Sequence, residues 1–211
     1  MKTDWTNCWR RNYGTLSYRI YLRIIDTIYN HLLGNTKLRD PSILELGAGS
    51  GVHSLRMAKR FPGCEITLVD DNATAIEISN NLYANSNSKV EVHYLNTNVL
   101  DLDLDEKFDI VHSEGLIEHF YGENRAMVFS KHAECCKPTG MIIIIVPQKC
   151  VQYRVARWIM EKTNTWLWDE KPLSRQEIYE LNKRCGLTMV REYSPPLGYQ
   201  IGVLLTHANH Q

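Results

Sequence analysis

Ile43-Leu44-Glu45-Leu46-Gly47-Ala48-Gly49-Ser50-Gly51 is a short apolar run that breaks into three glycines spaced two apart. Four residues of this kind closed by glycine predict a buried parallel strand ending in a tight turn. The apolar spacing of Val52, Leu55 and Met57-Ala58 beyond it predicts a helix. Strand, glycine turn and helix together make a ligand-binding crossover. Glycine suits the turn because it accepts positive φ without strain and, lacking a Cβ, lets a ligand come close to the backbone. The amides at the helix start are then expected to face whatever is bound.

The spacing discriminates among ligands. A dinucleotide fingerprint, G-x-G-x-x-G, fails here because Val52 stands at the third glycine position, and the phosphate loop G-x-x-x-x-G-K-[ST] is absent. What stands instead is an acidic residue, Glu45, followed by x-Gly-x-Gly-x-Gly. A carboxylate beside the loop is a poor neighbour for pyrophosphate and a good one for a cation or an amine. That points to a zwitterionic ligand bearing a sulfonium.

At these residues the chain resembles the class I S-adenosylmethionine-dependent methyltransferases, whose first motif is this acidic-x-Gly-x-Gly-x-Gly turn. Other stretches extend the likeness. Cys64 to Asp70 predicts a second strand, and Asp70 lies 19 residues past Gly51. An acidic residue at the end of strand two of a doubly wound fold meets a ribose hydroxyl, although Asp71 or Asn72 also suits the cap of the helix that follows. Val90 to Tyr94 predicts strand three and leads to Asn98, where the resemblance puts a side chain meeting adenine; asparagine replaces the commoner aspartate. Phe108-Asp109-Ile110-Val111-His112-Ser113, continuing through Glu114 to Glu118-His119, is similar to the family's fourth motif, and Lys137-Pro138-Thr139-Gly140 to its turn into strand five, Met141 to Val146. The resemblance covers roughly residues 40 to 206.

What the resemblance implies is an α/β, doubly wound, seven-stranded and mostly parallel sheet, the Rossmann-like methyltransferase fold. It ends in an antiparallel hairpin, Thr188 to Tyr193 and Ile201 to Thr206, with strand seven between five and six. The cofactor is S-adenosyl-L-methionine. Its implied shell is Glu45, Gly47, Ala48, Gly49, Gly51, Asp70, Asp71, Asn98, Val99, Ser113 and Glu114, with His119 as the candidate base for the acceptor's proton.

Length and composition bound the rest. At 211 residues the chain is expected to be one domain. Residues 1–38 form an N-terminal helical cap in this reading, since Leu16, Ile20, Ile24, Ile28 and Leu32 have helical spacing up to Gly34. Residues 148–172 form a lid-like insertion after strand five, and Ser174-Arg175-Gln176-Glu177 is a capping box opening the next helix. Basic and acidic residues balance at 24 each, so no nucleic-acid partner is expected. Six cysteines show no C-x-x-C pair and no zinc spacing, so no metal is predicted and the thiols read as buried in a reducing compartment. The first ten residues lack the apolar core of a signal peptide, and the run Met141 to Val146 is far shorter than the roughly 20 residues of a spanning helix. A cytoplasmic protein without membrane insertion is expected.

Ser194-Pro195-Pro196-Leu197 lacks the aromatic residue of the planar-nitrogen methyltransferase signature and follows strand six, so it reads as a hairpin loop. Trp5, Trp9, Trp158, Trp166 and Trp168 fall in the two segments outside the core, where packing is the commoner use of such rings. The reading is transfer of a methyl group to a small-molecule acceptor. A nucleotide-cofactor oxidoreductase and a non-catalytic S-adenosylmethionine-binding protein are its rivals.

Overall fold

The computed structural model describes residues 3–12, 15–196 and 198–208. Met1 and Lys2 of the expected cap, Leu197 of the hairpin loop and the side chain of Trp9 lie outside the described residues.

Apolar strand runs alternating with amphipathic helices build a three-layer α/β domain. In chain order the elements are α1 (Trp5–Asn12), α2 (Leu16–Leu33), β1 (Ser42–Leu46), α3 (Val52–Arg60), β2 (Glu65–Asp70), α4 (Ala73–Ala84) and β3 (Glu91–Asn96). Then follow β4 (Phe108–Glu114), α5 (Gly122–Cys135), β5 (Cys136–Pro147), α6 (Val151–Lys162), α7 (Arg175–Arg184), β6 (Leu187–Tyr193) and β7 (Gln200–His207). The sheet order is β3-β2-β1-β4-β5-β7-β6. Strands β1 to β5 pair in parallel, while β7 runs antiparallel between β5 and β6, as the sequence reading expects.

Period-two alternation sorts the strand side chains into two cores. Leu44, Leu46, Val111, Ile142, Ile144 and Val203 pack against Val128 and Phe129 of α5 and Ile178 of α7. Ile43, Ile66, Leu68, Ile110, Ile143 and Ile145 pack on the other face, against Ile25, Ile28 and Leu32 of α2 and Leu55 and Met57 of α3. Both faces of the sheet are covered, so its strands read as continuous apolar runs. The carboxyl ends of the parallel strands stay available for a site.

Local chemistry sets the helix ends. Asn72, not Asp71, caps α4, its side-chain oxygen accepting from the Ala75 amide at 3.1 Å. The capping box of α7 is complete: Ser174 Oγ accepts from Glu177 N at 3.2 Å and Glu177 Oε2 accepts from Ser174 N at 2.9 Å. One expected turn differs. Lys137 to Gly140 stay within β5, and the ladder to β4 jumps from Phe108↔Cys136 to Ile110↔Met141. The four residues form a bulge, held by the Lys137 ammonium on Asp109 at 2.9 Å, so proline and glycine bend the strand here without ending it.

Among the described residues no helix is long and apolar enough to cross a membrane.

Candidate active site

The turn after β1 needs its glycines. Gly47, Gly49 and Gly51 have φ of +66°, +54° and +66°, the left-handed region where a Cβ is strained. A Cβ on Gly47 would stand 2.6 Å from Leu116 Cδ1, and one on Gly51 would stand 2.7 Å from Leu68 Cδ1 and from Ser79 Oγ. The expected row of ligand-facing amides is a different matter. Ala48 N donates to Val69 O at 2.9 Å, Gly51 N to Ala48 O at 2.8 Å, Gly49 N to Asp70 Oδ2 at 2.8 Å and Ser54 N to Glu45 Oε2 at 3.2 Å. These donors are used inside the fold, and what the turn offers a ligand is chiefly close approach to bare backbone.

Asp70, at the end of β2, accepts Gly49 N on Oδ2 and Asn72 N on Oδ1, each at 2.8 Å. A carboxylate oxygen has about two lone-pair sites, so each retains one for a ligand hydroxyl. Burial raises the Asp70 carboxyl above its ordinary range, and the two amides oppose that rise. Asp71 is exposed and accepts from Asn98 Nδ2 at 3.0 Å. Asn98 caps the 3₁₀ turn Val99–Asp101, its Oδ1 accepting from Leu100 N at 2.9 Å. The carbonyl oxygen expected to meet adenine therefore serves the local turn. Val99, also expected at the cofactor, puts its side chain in the α5 and α7 core, where it is buried.

Strand alternation corrects two further assignments. Ser113 is fully buried, and its Oγ lies 2.8 Å from His132 Nε2 of α5, on the face away from the cleft. Glu114, one residue on, takes the opposite face, where the Tyr21 hydroxyl of α2 donates to Oε1 and His53 Nε2 of α3 lies 3.5 Å from Oε2. Burial disfavours charge on His53, yet the Glu114 carboxylate outweighs it and the pKa of His53 is raised. Glu45 lies 1% exposed beneath α3, its carboxyl turned into the fold and hydrogen-bonded to Ser54.

Glu45 instead ends a buried polar chain that the sequence reading did not foresee. Its Oε2 accepts from Ser54 Oγ at 2.6 Å, Ser54 Oγ lies 2.8 Å from His112 Nε2, and His112 Nδ1 lies 2.9 Å from the Tyr29 hydroxyl. With Ser54 donating to Glu45, His112 donates through Nε2 and accepts from Tyr29 through Nδ1, which leaves every member satisfied. Burial holds His112 far below its ordinary pKa, hence neutral, and pushes the Glu45 carboxyl up to about 7 against the opposing pull of His53 and Ser54.

A pH dependence follows from Glu45. Its folded pKa of about 7 exceeds the ordinary 4.5, so its contribution to stability is fully present below pH 4.5 and is lost as pH rises through 7, on the order of 3 kcal/mol. Glu45→Gln keeps an acceptor for Ser54 but does not ionise. In urea unfolding at pH 5 and pH 8, the wild type should lose about 2.5 kcal/mol more than the variant. Equal losses would mean that Glu45 titrates like a solvated carboxylate.

The far wall of the cleft follows β4. A 3₁₀ turn at Ile117–His119 brings His119 against residues 169–171, with His119 Nδ1 2.7 Å from Asp169 O. Only Nδ1–H can donate to a carbonyl, so Nε2 keeps its lone pair. Burial lowers the His119 pKa, the Asp169 contact opposing, and the ring stays neutral near pH 7. Glu118 is 2% exposed, and burial together with Glu170 holds its carboxyl well above the usual range. The pKa of Glu170 is pushed up to about 7, by burial first.

The N-terminal segment crosses this wall. Trp5 packs edge-on to His119 at 4.7 Å, Thr3 Oγ1 accepts from Asp169 N at 2.6 Å, and Cys8 Sγ lies 3.9 Å from Leu167 O. On the other side Asn72 Nδ2 donates to Thr6 Oγ1 at 3.3 Å and the Tyr18 hydroxyl lies 3.1 Å from Ser50 Oγ. Gly47, Gly49, Asp70, Glu114 and His119 thus all stand at the carboxyl ends of β1, β2 and β4 or in the turns that follow them.

Comparisons with known proteins agree. A family model described as a methyltransferase domain matches residues 43–140. The ubiquinone biosynthesis O-methyltransferase of Rickettsia typhi is 27% identical over 83% of this chain and 72% of its own length. The biotin biosynthesis bifunctional protein BioHC of Teredinibacter turnerae is 25% identical over 90% of this chain, but this chain spans only 34% of that protein. Among solved structures, the magnesium protoporphyrin IX methyltransferase of Synechocystis with bound S-adenosylhomocysteine superposes with a TM-score of 0.75 at 15% identity, covering 94% of this chain and 92% of that one. Residues 43–140 thus match a methyltransferase domain, and the glycine turn and strand order around them are similar to those of the class I S-adenosylmethionine-dependent methyltransferases, enzymes whose cofactor is S-adenosylmethionine.

Proposed function

We propose that this chain methylates a small-molecule acceptor held beside His119, under a roof made by residues 3–12, the first turns of α2 and residues 148–172. What supports the reading is the set of groups at the strand ends: a glycine turn, a carboxylate with two open lone pairs and a neutral imidazole. These residues fit the cofactor. Gly47 and Gly49 would admit it against the backbone, and Asp70 would hold the two ribose hydroxyls. When bound, it supplies an electrophilic methyl group on a sulfonium.

The chain's own residues then align the acceptor, exclude water and accept a proton. His119 Nε2 is the group poised to draw the proton from an acceptor hydroxyl or amine. Trp5 and the segment around Leu167 close the cleft above it. Relatives named for O-methylation favour oxygen as the accepting atom. Cys64, Cys135, Cys136, Cys150 and Cys185 are thiols outside any disulfide among the described residues, which suits a reducing cytoplasm.

Calorimetry with S-adenosylmethionine and with nicotinamide dinucleotides, followed by assay of S-adenosylhomocysteine release over a panel of phenols, catechols, amines and carboxylic acids, tests the reading. Binding of S-adenosylmethionine with turnover on an oxygen acceptor is the expected result. Dinucleotide binding alone would favour the oxidoreductase rival, and cofactor binding without turnover on any class the non-catalytic one.

A further inference from the structure

Glu118, His119 and Glu170 place one donor atom each within 4.8 Å of one another, two of the residues partly buried and Glu118 fully. Donors around one ion bonded at about 2.0–2.3 Å stand within roughly 4.6 Å of each other, so little adjustment separates this cluster from a coordination sphere. Glu118 Oε2 is buried and has no hydrogen-bond partner. A carboxyl oxygen withdrawn from water and left without a partner is an open ligand position, and a cation that displaces the carboxyl's proton would fill it. Arg125, the cation whose charge acts on this carboxyl, does not fill it. Arg125 spends its donors on the carbonyls of Phe120, Glu118 and Lys171 and on the Glu177 carboxylate.

The surroundings hold these groups as a metal's outer shell does. His119 donates Nδ1–H to Asp169 O at 2.7 Å, which fixes the ring and aims the Nε2 lone pair. Lys171 N donates to Glu118 O at 3.0 Å, and Arg125 Nη2 bridges the carbonyls of Glu118 and Lys171 at 3.4 and 2.9 Å. Residues 169 and 171 are both clamped to the 3₁₀ turn, and Glu170 between them is held opposite Glu118 and His119. A second acidic group with histidine, Glu65, Glu91 and His93, is exposed on the β2–β3 surface and lacks such a clamp.

We propose that Glu118, His119 and Glu170 bind one divalent transition-metal cation on the acceptor side of the cleft. One imidazole and two carboxylates suit Mn²⁺ or Zn²⁺ better than Ca²⁺, which takes six to eight oxygens. Open positions on the ion would take oxygen atoms of the acceptor. An acceptor hydroxyl there would lose its proton to solvent more readily, because the cation would stabilise the oxygen anion that forms the new O–CH₃ bond as the S–CH₃ bond breaks and S-adenosylhomocysteine leaves. This deepens the methyl-transfer reading and rests on it, and it turns His119 from a base into a ligand whenever the ion is bound.

The test uses the full chain stripped with a chelator and titrated with Mn²⁺ by electron paramagnetic resonance and with Zn²⁺ by calorimetry. S-adenosylmethionine binding and thermal melting are followed on the same samples. One saturable equivalent is expected, with affinity reduced at least about tenfold in Glu118→Gln and in Glu170→Gln. Because Glu170 is the more peripheral, its variant serves if Glu118→Gln fails to fold. No saturable binding by the folded wild type, or unchanged affinity in a folded variant, overturns the site, as does binding of a primary amine in place of either ion. Protein that binds S-adenosylmethionine but no ion loses only the cation site; protein that binds the ion but not S-adenosylmethionine loses the cofactor reading instead.

Discussion

Asp70→Ala should bind S-adenosylmethionine at least about a hundredfold more weakly than the wild type. The magnitude comes from two hydrogen bonds to an ionised acceptor, each worth about 1.5–3 kcal/mol. Both oxygens already carry one backbone amide, Gly49 N and Asn72 N. The carboxylate is therefore held in place before the ligand arrives, and little affinity is lost in ordering it. The same two bonds mean that the substitution also loosens the glycine turn. Melting of the free protein separates the effects, since a loss confined to the turn lowers stability whether or not a ligand binds at Asp70. Calorimetry that finds unchanged affinity in a folded variant would remove Asp70 from the site.

The fold was legible because its signals are local and redundant. Ile43 to Leu46, Ile66 to Val69, Phe108 to Val111 and Met141 to Val146 are largely apolar runs that a doubly covered sheet buries, and the first three are followed within three residues by a glycine or an acidic residue. The Lys137–Gly140 bulge escaped because proline and glycine look the same in sequence whether they bend a strand or stop it.

The site was legible along the chain but not across the sheet. A motif says which residues cluster near a strand end; alternation decides which of them face the ligand. Glu45 and His112 are register partners and meet beneath α3, whereas Ser113 turns to His132 and Val99 to the opposite core. Counting alternate residues back from Glu114 would have placed His112 on its face and Ser113 on the other. Tyr21, His53 and Glu170 could not be found this way. They reach the cleft from two helices and a distant loop, and only tertiary packing brings them together.

His119→Gln should keep the melting temperature and the affinity for S-adenosylmethionine near wild type while turnover falls at least about a hundredfold. Glutamine preserves much of the volume and can donate its amide to Asp169 O, so the 3₁₀ turn and the 169–171 segment stay joined. What it lacks is a basic nitrogen with a free lone pair at the position of Nε2. Whether that lone pair takes the acceptor's proton or holds a cation that does the same work, its removal affects the reacting oxygen and leaves the cofactor side of the cleft, at Gly47, Gly49 and Asp70, untouched. A histidine kept only for packing behaves in the opposite way. Its Trp5 contact, edge-on at 4.7 Å, is a small part of the interface between the N-terminal segment and the cleft wall. Losing that contact would lower stability by an amount typical of a single partly buried substitution, about 0.5–3 kcal/mol, and leave the rate near normal. Melting and turnover measured on the same preparation therefore separate chemistry from packing, and a variant that melts lower yet turns over normally would assign His119 to packing alone.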